Sequence, residues 1–287
     1  MHLTHEKLLE LVEVAKLAAT KAGEYIASRR GDNIVTESKA GGENIASQVV
    51  TEVDHAAEEI ILGVLKPTLE PYGLGLLTEE STDDGSRFEK PYFWCIDPLD
   101  GTLAFSRDED GYSTAVALIS SEGEPLIGAV YNSRTGSLYH AFKDGGAFKN
   151  GKPFKAHMES KSLTLLYDQS YLKHPEYAAQ VEKLRKDVSK VGLENLTSYH
   201  LGGAVMNGIA TIEMAPAVYF KFPKKADGGG SIWDFAASSI IQKEAGGFNA
   251  DYFRRPLDLN RKDSTFMNHN GVIYASNDAL LEIIPKV

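Results

Sequence analysis

The feature that most limits what this chain can fold into is the run Trp94-Cys95-Ile96-Asp97-Pro98-Leu99-Asp100-Gly101-Thr102. Its apolar opening, led in by Tyr92 and Phe93, reads as a buried strand. That strand delivers Asp97 at its end, Pro98 fixes the turn through its locked φ, and Asp100 follows three residues later. Both carboxylates can then point into one small volume. Gly101 and Thr102 open a helical turn whose free N–H groups can hold an anion. Two hard oxygen ligands beside such a cradle suit Mg²⁺ shared with a phosphate. The same residues also read as a plain turn cap, a common use of Asp and Gly.

Three further acidic features carry the same double reading. Thr78-Glu79-Glu80-Ser81 follows the apolar run Leu74–Leu77 and is either a solvated strand edge or a pair of site carboxylates. Asp234, in Ser231-Ile232-Trp233-Asp234-Phe235, sits in the first turn of an apolar helix, where an Asp also serves as a cap or dipole partner. Asp54, in Thr51-Glu52-Val53-Asp54, looks like another helix cap.

Composition excludes several classes. With 30 Lys and Arg against 40 Asp and Glu the net charge is −10, which argues against a nucleic-acid or anionic-membrane partner. A phosphorylated substrate stays open if a metal supplies the positive charge. Cys95 is the single cysteine, so neither an intrachain disulfide nor a cysteine zinc site can form. The histidines show no H-E-x-x-H spacing, and no Ser or Cys nucleophile with a nearby base is evident. The N-terminus has no apolar signal core and no run is long enough to span a bilayer, so a cytoplasmic protein is expected.

Periodicity divides the chain in two. Apolar residues from Leu8 to Ile26 recur at helical spacing over about 5–29, and a second helix starts near Asp54 and is expected to end at Pro67. The polar segment 31–48, with Gly41-Gly42, reads as a loop or hairpin. Strand-like runs follow at Leu74–Leu77, Tyr92–Ile96, Thr114–Ile119, Leu126–Tyr131 and Ser137–Ala141. Beyond 150–160 come strands at Leu163–Leu166, Val218–Phe222 and Val272–Ala275, alternating with helices near 175–188, Gly203–Met214 and Ile232–Glu244. An α+β half over 1–157 and an α/β half over 158–287 are the expected organisation.

In this order and with these flanks, the four acidic features resemble the inositol monophosphatase superfamily of metal-dependent phosphatases. Asp97–Thr102 meets its Asp-Pro-(Ile/Leu)-Asp-Gly-Thr signature in full. Glu79-Glu80 is similar to its acidic strand end, and Trp233–Ala237 with Glu244–Gly247 is similar to its C-terminal motif. Five fixed letters of that signature fall together by chance on the order of once in 10⁴ chains of this length.

The resemblance implies a five-layer α-β-α-β-α sandwich with the site between the halves, and Mg²⁺ as cofactor in two or three ions. Carried over residue by residue, Glu79, Asp97, Asp100 and Asp234 match the metal carboxylates, and the Leu99 carbonyl matches a further ligand. Thr102 matches the hydroxyl that helps orient the attacking water, in a catalytic set with Glu79 and Asp54, and Asp54 and Glu80 match outer acids or ligands of a third metal. Gly101, Thr102 and Gly203 fall on the phosphate and substrate side, with Asp100 and Asp234. It also implies a homodimer and inhibition by Li⁺. Physics points the same way: five or six carboxylates in one pocket repel one another and a phosphate unless divalent cations intervene, which makes in-line attack by a metal-activated water the expected chemistry.

Substrate choice rests on departures. Where inositol-phosphate members place an acid for hydroxyls, this chain has a longer segment in which either Lys221 takes the aligned position or the acid has moved to Asp227. A basic residue there suits a second phosphate. The tail Pro256–Asn260 with Phe266–Asn268 is similar to members acting on 3′-phosphoadenosine 5′-phosphate. Gly202-Gly203-Ala204-Val205 and Leu103-Ala104 depart from those members. The reading leans to the bisphosphate nucleotide, with inositol 1-phosphate or a related sugar phosphate as the alternative. A catalytically idle relative that binds a protein or RNA is the reading from another class.

Overall fold

The computed structural model describes residues 3–31, 36–38 and 49–286. The expected loop around Gly41-Gly42 lies outside them. Helix α1 (His5–Ser28) is capped by Thr4, whose hydroxyl accepts from the Lys7 N–H at 3.3 Å. The short strands β1 (Thr36–Ser38) and β2 (Val49–Thr51) pair antiparallel. Helix α2 (Glu52–Tyr72) begins on a reciprocal capping box between Thr51 and Asp54.

That helix corrects an expectation, since it passes through Pro67 to Tyr72. Pro67 and Gly63, the residue one turn before it, both face solvent. Water can satisfy the carbonyl left without its partner there, and Gly63 has no side chain to crowd the ring.

The first sheet collects β3 (Leu74–Thr78), β4 (Tyr92–Asp100), β5 (Ser113–Ser120), β6 (Pro125–Asn132), β7 (Ser137–Phe142), β8 (Gly146–Lys149) and β9 (Lys152–Pro153), in that order. Only β3 and β4 are parallel; the rest alternate. Two short helices, α3 (Ser86–Glu89) and α4 (Thr102–Ser106), flank β4. Every residue of β5 is buried, because helices cover both faces of the sheet; this is why the strand reads as a continuous run and does not alternate.

The second sheet comprises β10 (Ser162–Tyr167), β11 (Asn195–His200), β12 (Ala217–Lys221), β13 (Phe248–Ala250) and β14 (Val272–Ala275), ordered β11-β10-β12-β14-β13. Its β11, β10 and β12 are mutually parallel. Around it lie α5 (Gln169–Leu172), α6 (Tyr177–Asp187), α7 (Ala204–Glu213) and α8 (Ile232–Glu244), with 3₁₀ turns at Val188–Val191 and Asp278–Glu282.

Three apolar clusters set the layers. α1 and α2 pack through Leu11, Ala15, Ala57 and Ile61 on Trp94, Val116 and Ile127 of the first sheet. α7 and α8 fill the middle, between Phe93, Ala117 and Val130 on one side and Leu166, Tyr219 and Tyr274 on the other. Leu184, Val188 and Ile283 cover the far face of the second sheet at Leu163, Val218 and Ile273. The result is the five-layer α-β-α-β-α sandwich.

Candidate metal centre and active site

The acidic residues arrive from three places in the chain. Because β3 and β4 are parallel with Thr78 level with Ile96, the next residues, Glu79 and Asp97, emerge side by side at one end of the sheet. The Glu79 N–H bonds the Ile96 carbonyl at 3.2 Å. β4 does not stop at Asp97, as the sequence had implied, but runs to Asp100 with a one-residue shift of register against β5 between the two acids. In an unbroken strand, residues three apart point to opposite faces. The bulge at Pro98, which has no N–H for the ladder, removes that conflict.

Asp234 comes from the first turn of α8. One carboxylate oxygen from each of Asp97, Asp100 and Asp234 lies within 4.8 Å of the others. Asp97 is 1% and Asp100 5% exposed. The Asp97 Oδ1 accepts the Leu99 N–H at 3.1 Å, whereas its Oδ2 is buried and has no hydrogen-bond donor.

Such an oxygen carries an uncompensated desolvation cost. Burial first, then Glu79, Asp100 and Asp234, push the Asp97 pKa well above the carboxylate range. Burial and Asp234 do the same to Asp100, against the opposing pull of the Ala204 and Val205 N–H groups and Lys221. Hard carboxylate oxygens packed this closely, one of them orphaned, fit a divalent cation of the Mg²⁺ kind. Asp97, Asp100 and Asp234 are the side chains brought together to hold it; Glu79 lies near enough to raise the Asp97 pKa but is not one of that group.

Beside the cluster, Thr102 Oγ1 lies 2.8 Å from Asp54 Oδ1 and 3.0 Å from the Leu99 carbonyl. Asp54 is buried and its other oxygen accepts the Thr51 N–H at 2.8 Å. Burial raises its pKa, while the Thr51 and Thr102 bonds pull it back. Asp54 is therefore a helix cap and a partner of Thr102 at once. Asp234 is also the third residue of a capping box with Ser231, so both bland readings hold without displacing the site.

Gly101 has φ +83 and caps α4, a left-handed conformation that favours glycine. Gly203 caps α7, whose Ala204 and Val205 N–H groups donate to the two oxygens of Asp100 at 3.0 and 2.9 Å. A Cβ on Gly203 would collide with that carboxylate.

Lys221 ends β12 with its Nζ 2.9 Å from Asp168 Oδ2, both side chains 17% exposed. Burial opposes its charge, but Asp168 and then Asp234 prevail and raise its pKa. Asp168 is lowered: burial works against ionisation and Lys221 overcomes it. Asp227 is exposed, and its charge is felt by Arg261.

Asp168 escaped the sequence reading. It lies 53 positions before Lys221, and only the parallel pairing of β10 with β12, Leu166 level with Tyr219, brings them together. The available signal was an acid just past the carboxyl end of a parallel strand, where α/β sheets gather ligands.

Residues 7–285 match the model of the inositol monophosphatase family. The chain belongs to that family. It is 30% identical over 278 residues to the inositol-1-monophosphatase of Synechocystis, covering 96% of this chain and 90% of that protein. To the 3′(2′),5′-bisphosphate nucleotidase CysQ of Aggregatibacter actinomycetemcomitans it is 27% identical, covering 96% and 95%. The extragenic suppressor protein suhB of Bartonella henselae shares the fold with a TM-score of 0.71 at 22% identity, covering 96% of this chain and 99% of that one. As members of this family hydrolyse phosphate monoesters with a metal ion, typically Mg²⁺, the chain is a phosphatase acting on a small phosphorylated substrate. Among the described residues no helix is long and apolar enough to cross a membrane.

Proposed function

We propose that this phosphatase acts on a monoester carrying a second anionic group, a bisphosphate nucleotide of the 3′-phosphoadenosine 5′-phosphate kind. Two or three Mg²⁺ ions would be held by Glu79, Asp97, Asp100, Asp234 and the Leu99 carbonyl. When bound they neutralise charge on the phosphoryl oxygens and acidify water. Thr102, its hydroxyl proton engaged by Asp54, keeps its oxygen lone pairs for a proton of the attacking water and so orients it with Glu79. The Gly101 and Thr102 N–H groups receive phosphoryl oxygens, and Gly203 leaves room beside Asp100.

The observation that carries the nucleotide reading is Lys221, a mostly buried ammonium among Asp168, Asp234 and Asp100. A cation placed next to the acidic cluster can receive an anionic group of the leaving alcohol. The inositol phosphate reading is favoured by a different observation: Asp168 on Lys221 offers an acceptor for a hydroxyl where Asp227 faces solvent.

Phosphate release from 3′-phosphoadenosine 5′-phosphate and from inositol 1-phosphate, side by side in Mg²⁺, separates them. The nucleotide should turn over faster, and Lys221→Met should raise its KM at least tenfold while leaving inositol 1-phosphate nearly unchanged. Equal loss on both substrates would sink the reading. The same proposal includes a homodimer, Li⁺ sensitivity, a cytoplasmic setting and a division of the chain near residue 157.

A further inference from the structure

Glu58 lies one helical turn after Asp54 on α2 and is 5% exposed. Residues four apart share a helix face, so both carboxylates leave α2 toward the sheet end that carries the site acids. Asp54 takes Thr102. Glu58 takes the other loop: its Oε2 accepts the Thr78 hydroxyl and, at 3.0 Å, the Glu80 N–H, and its Oε1 accepts the Ser81 hydroxyl. Three donors thus come from the four-residue turn Thr78–Ser81, on both sides of Glu79.

We propose that Glu58 is a positioning residue for Glu79, holding the strand-end turn so that the Glu79 carboxylate faces Asp97, and thereby setting the affinity for the divalent cation. The inference rests on Glu79 as a metal ligand. The geometry explains why a buried acid is kept here. Its oxygens are engaged by the turn, so it is not itself arranged as a ligand, and the Glu79 N–H makes the last bond to β4, at the Ile96 carbonyl, with the register pairs ending at Thr78–Ile96. A ligand at the edge of the sheet, held there by a single backbone bond, would have to be ordered when the ion binds, whereas one clamped on both sides is already in place.

The test is Mg²⁺ affinity by calorimetry on the full chain, with hydrogen exchange at the Glu80 amide and the rate of phosphate release at saturating Mg²⁺. Glu58→Ala should weaken Mg²⁺ binding by roughly 10- to 100-fold, the range for outer partners of metal ligands, and speed exchange at Glu80. Turnover at saturating Mg²⁺ should stay within a few-fold. Glu58→Gln should restore most of the affinity, because its carbonyl can accept from Thr78 and Glu80 while its amide donates to the Ser81 oxygen.

Unchanged affinity in a folded Glu58→Ala chain overturns the proposal, as does a Gln variant as damaged as the Ala one, which would make charge and not geometry the cause. Should Glu58→Ala fail to fold, Ser81→Ala and Thr78→Val each remove one of the three bonds, and unchanged affinity in both has the same meaning. A wild-type chain that binds no Mg²⁺ but hydrolyses phosphate monoesters would instead remove the metal role of Glu79 itself.

Discussion

Asp100 accepts a backbone N–H with each oxygen and still keeps one of them within 4.8 Å of oxygens on Asp97 and Asp234. One residue therefore both accepts the first N–H groups of α7 and serves as a site acid, and Gly203, the cap, is what lets the helix end come close enough. Gly203→Ala should displace Asp100 or α7, and we expect about 1–3 kcal/mol of lost stability, as for other overpacked contacts, together with weakened Mg²⁺ binding. Urea unfolding with and without Mg²⁺ checks both; a variant as stable and as tight as the parent would show that the site tolerates the methyl. Asp234→Asn keeps a carbonyl oxygen for the Ser231 N–H and removes a negative ligand. Phosphate release should fall more than about a hundredfold with the circular dichroism unchanged. Retained activity would place the metal elsewhere.

At the scale of elements, the stretches most legible in the sequence were those whose burial repeats cleanly. α1, α8 and β14 fall at the expected positions because a one-sided apolar stripe, a capping Ser231 or a bounded β-branched run leaves little choice. β11 escaped because its residues are largely exposed and polar, so that its parallel pairing with β10 and not its own period defines it, and α5 because four residues capped by Asp168 are too few to show a period. Pro67 misled because its cost depends on whether the freed carbonyl meets water. The acids of the site were legible one by one, but the bulge that turns Asp97 and Asp100 together, and Asp168 beside Lys221, exist only through pairing.

In β7, His140 is 8% exposed, stacks on Phe148 at 5.1 Å and leaves its Nδ1 without a partner. Burial, then the Lys16 charge, lowers its pKa from the usual 6.5 to about 4. Between those values the unfolded chain binds a proton that the folded chain refuses, so stability falls as pH drops through that window. His140→Phe should remove the effect. The parent should lose roughly 1–2 kcal/mol more than the variant between pH 7 and pH 4.5, after allowance for solvent screening, read as the difference in urea midpoints. Parallel curves would show that His140 titrates normally.

For the whole molecule, the decisive arrangement is that the acids straddle a seam. Asp97 and Asp100 belong to the seven-stranded sheet, whereas Asp234 belongs to α8 in the middle layer, which also packs on the second sheet. Without a cation these carboxylates can be ionised together only against their mutual repulsion, at the point where Gly203 and Asp100 join the layers. With one, the repulsion becomes a crosslink. An ion that binds only the folded chain stabilises it by about 2.7 kcal/mol at a hundredfold excess over its Kd, which for a chain of this size is a rise of several degrees in Tm. Mg²⁺ should therefore raise Tm over a chelator control, and Na⁺ at matched ionic strength should not, which separates site binding from screening. Asp234→Asn should lose most of that rise, although the residue lies 134 positions from Asp100 in sequence. If the variant keeps the full Mg²⁺ shift, the ion sits within the first sheet alone and α8 is held only by its apolar face, a result that would detach catalysis from the packing of the two sheets.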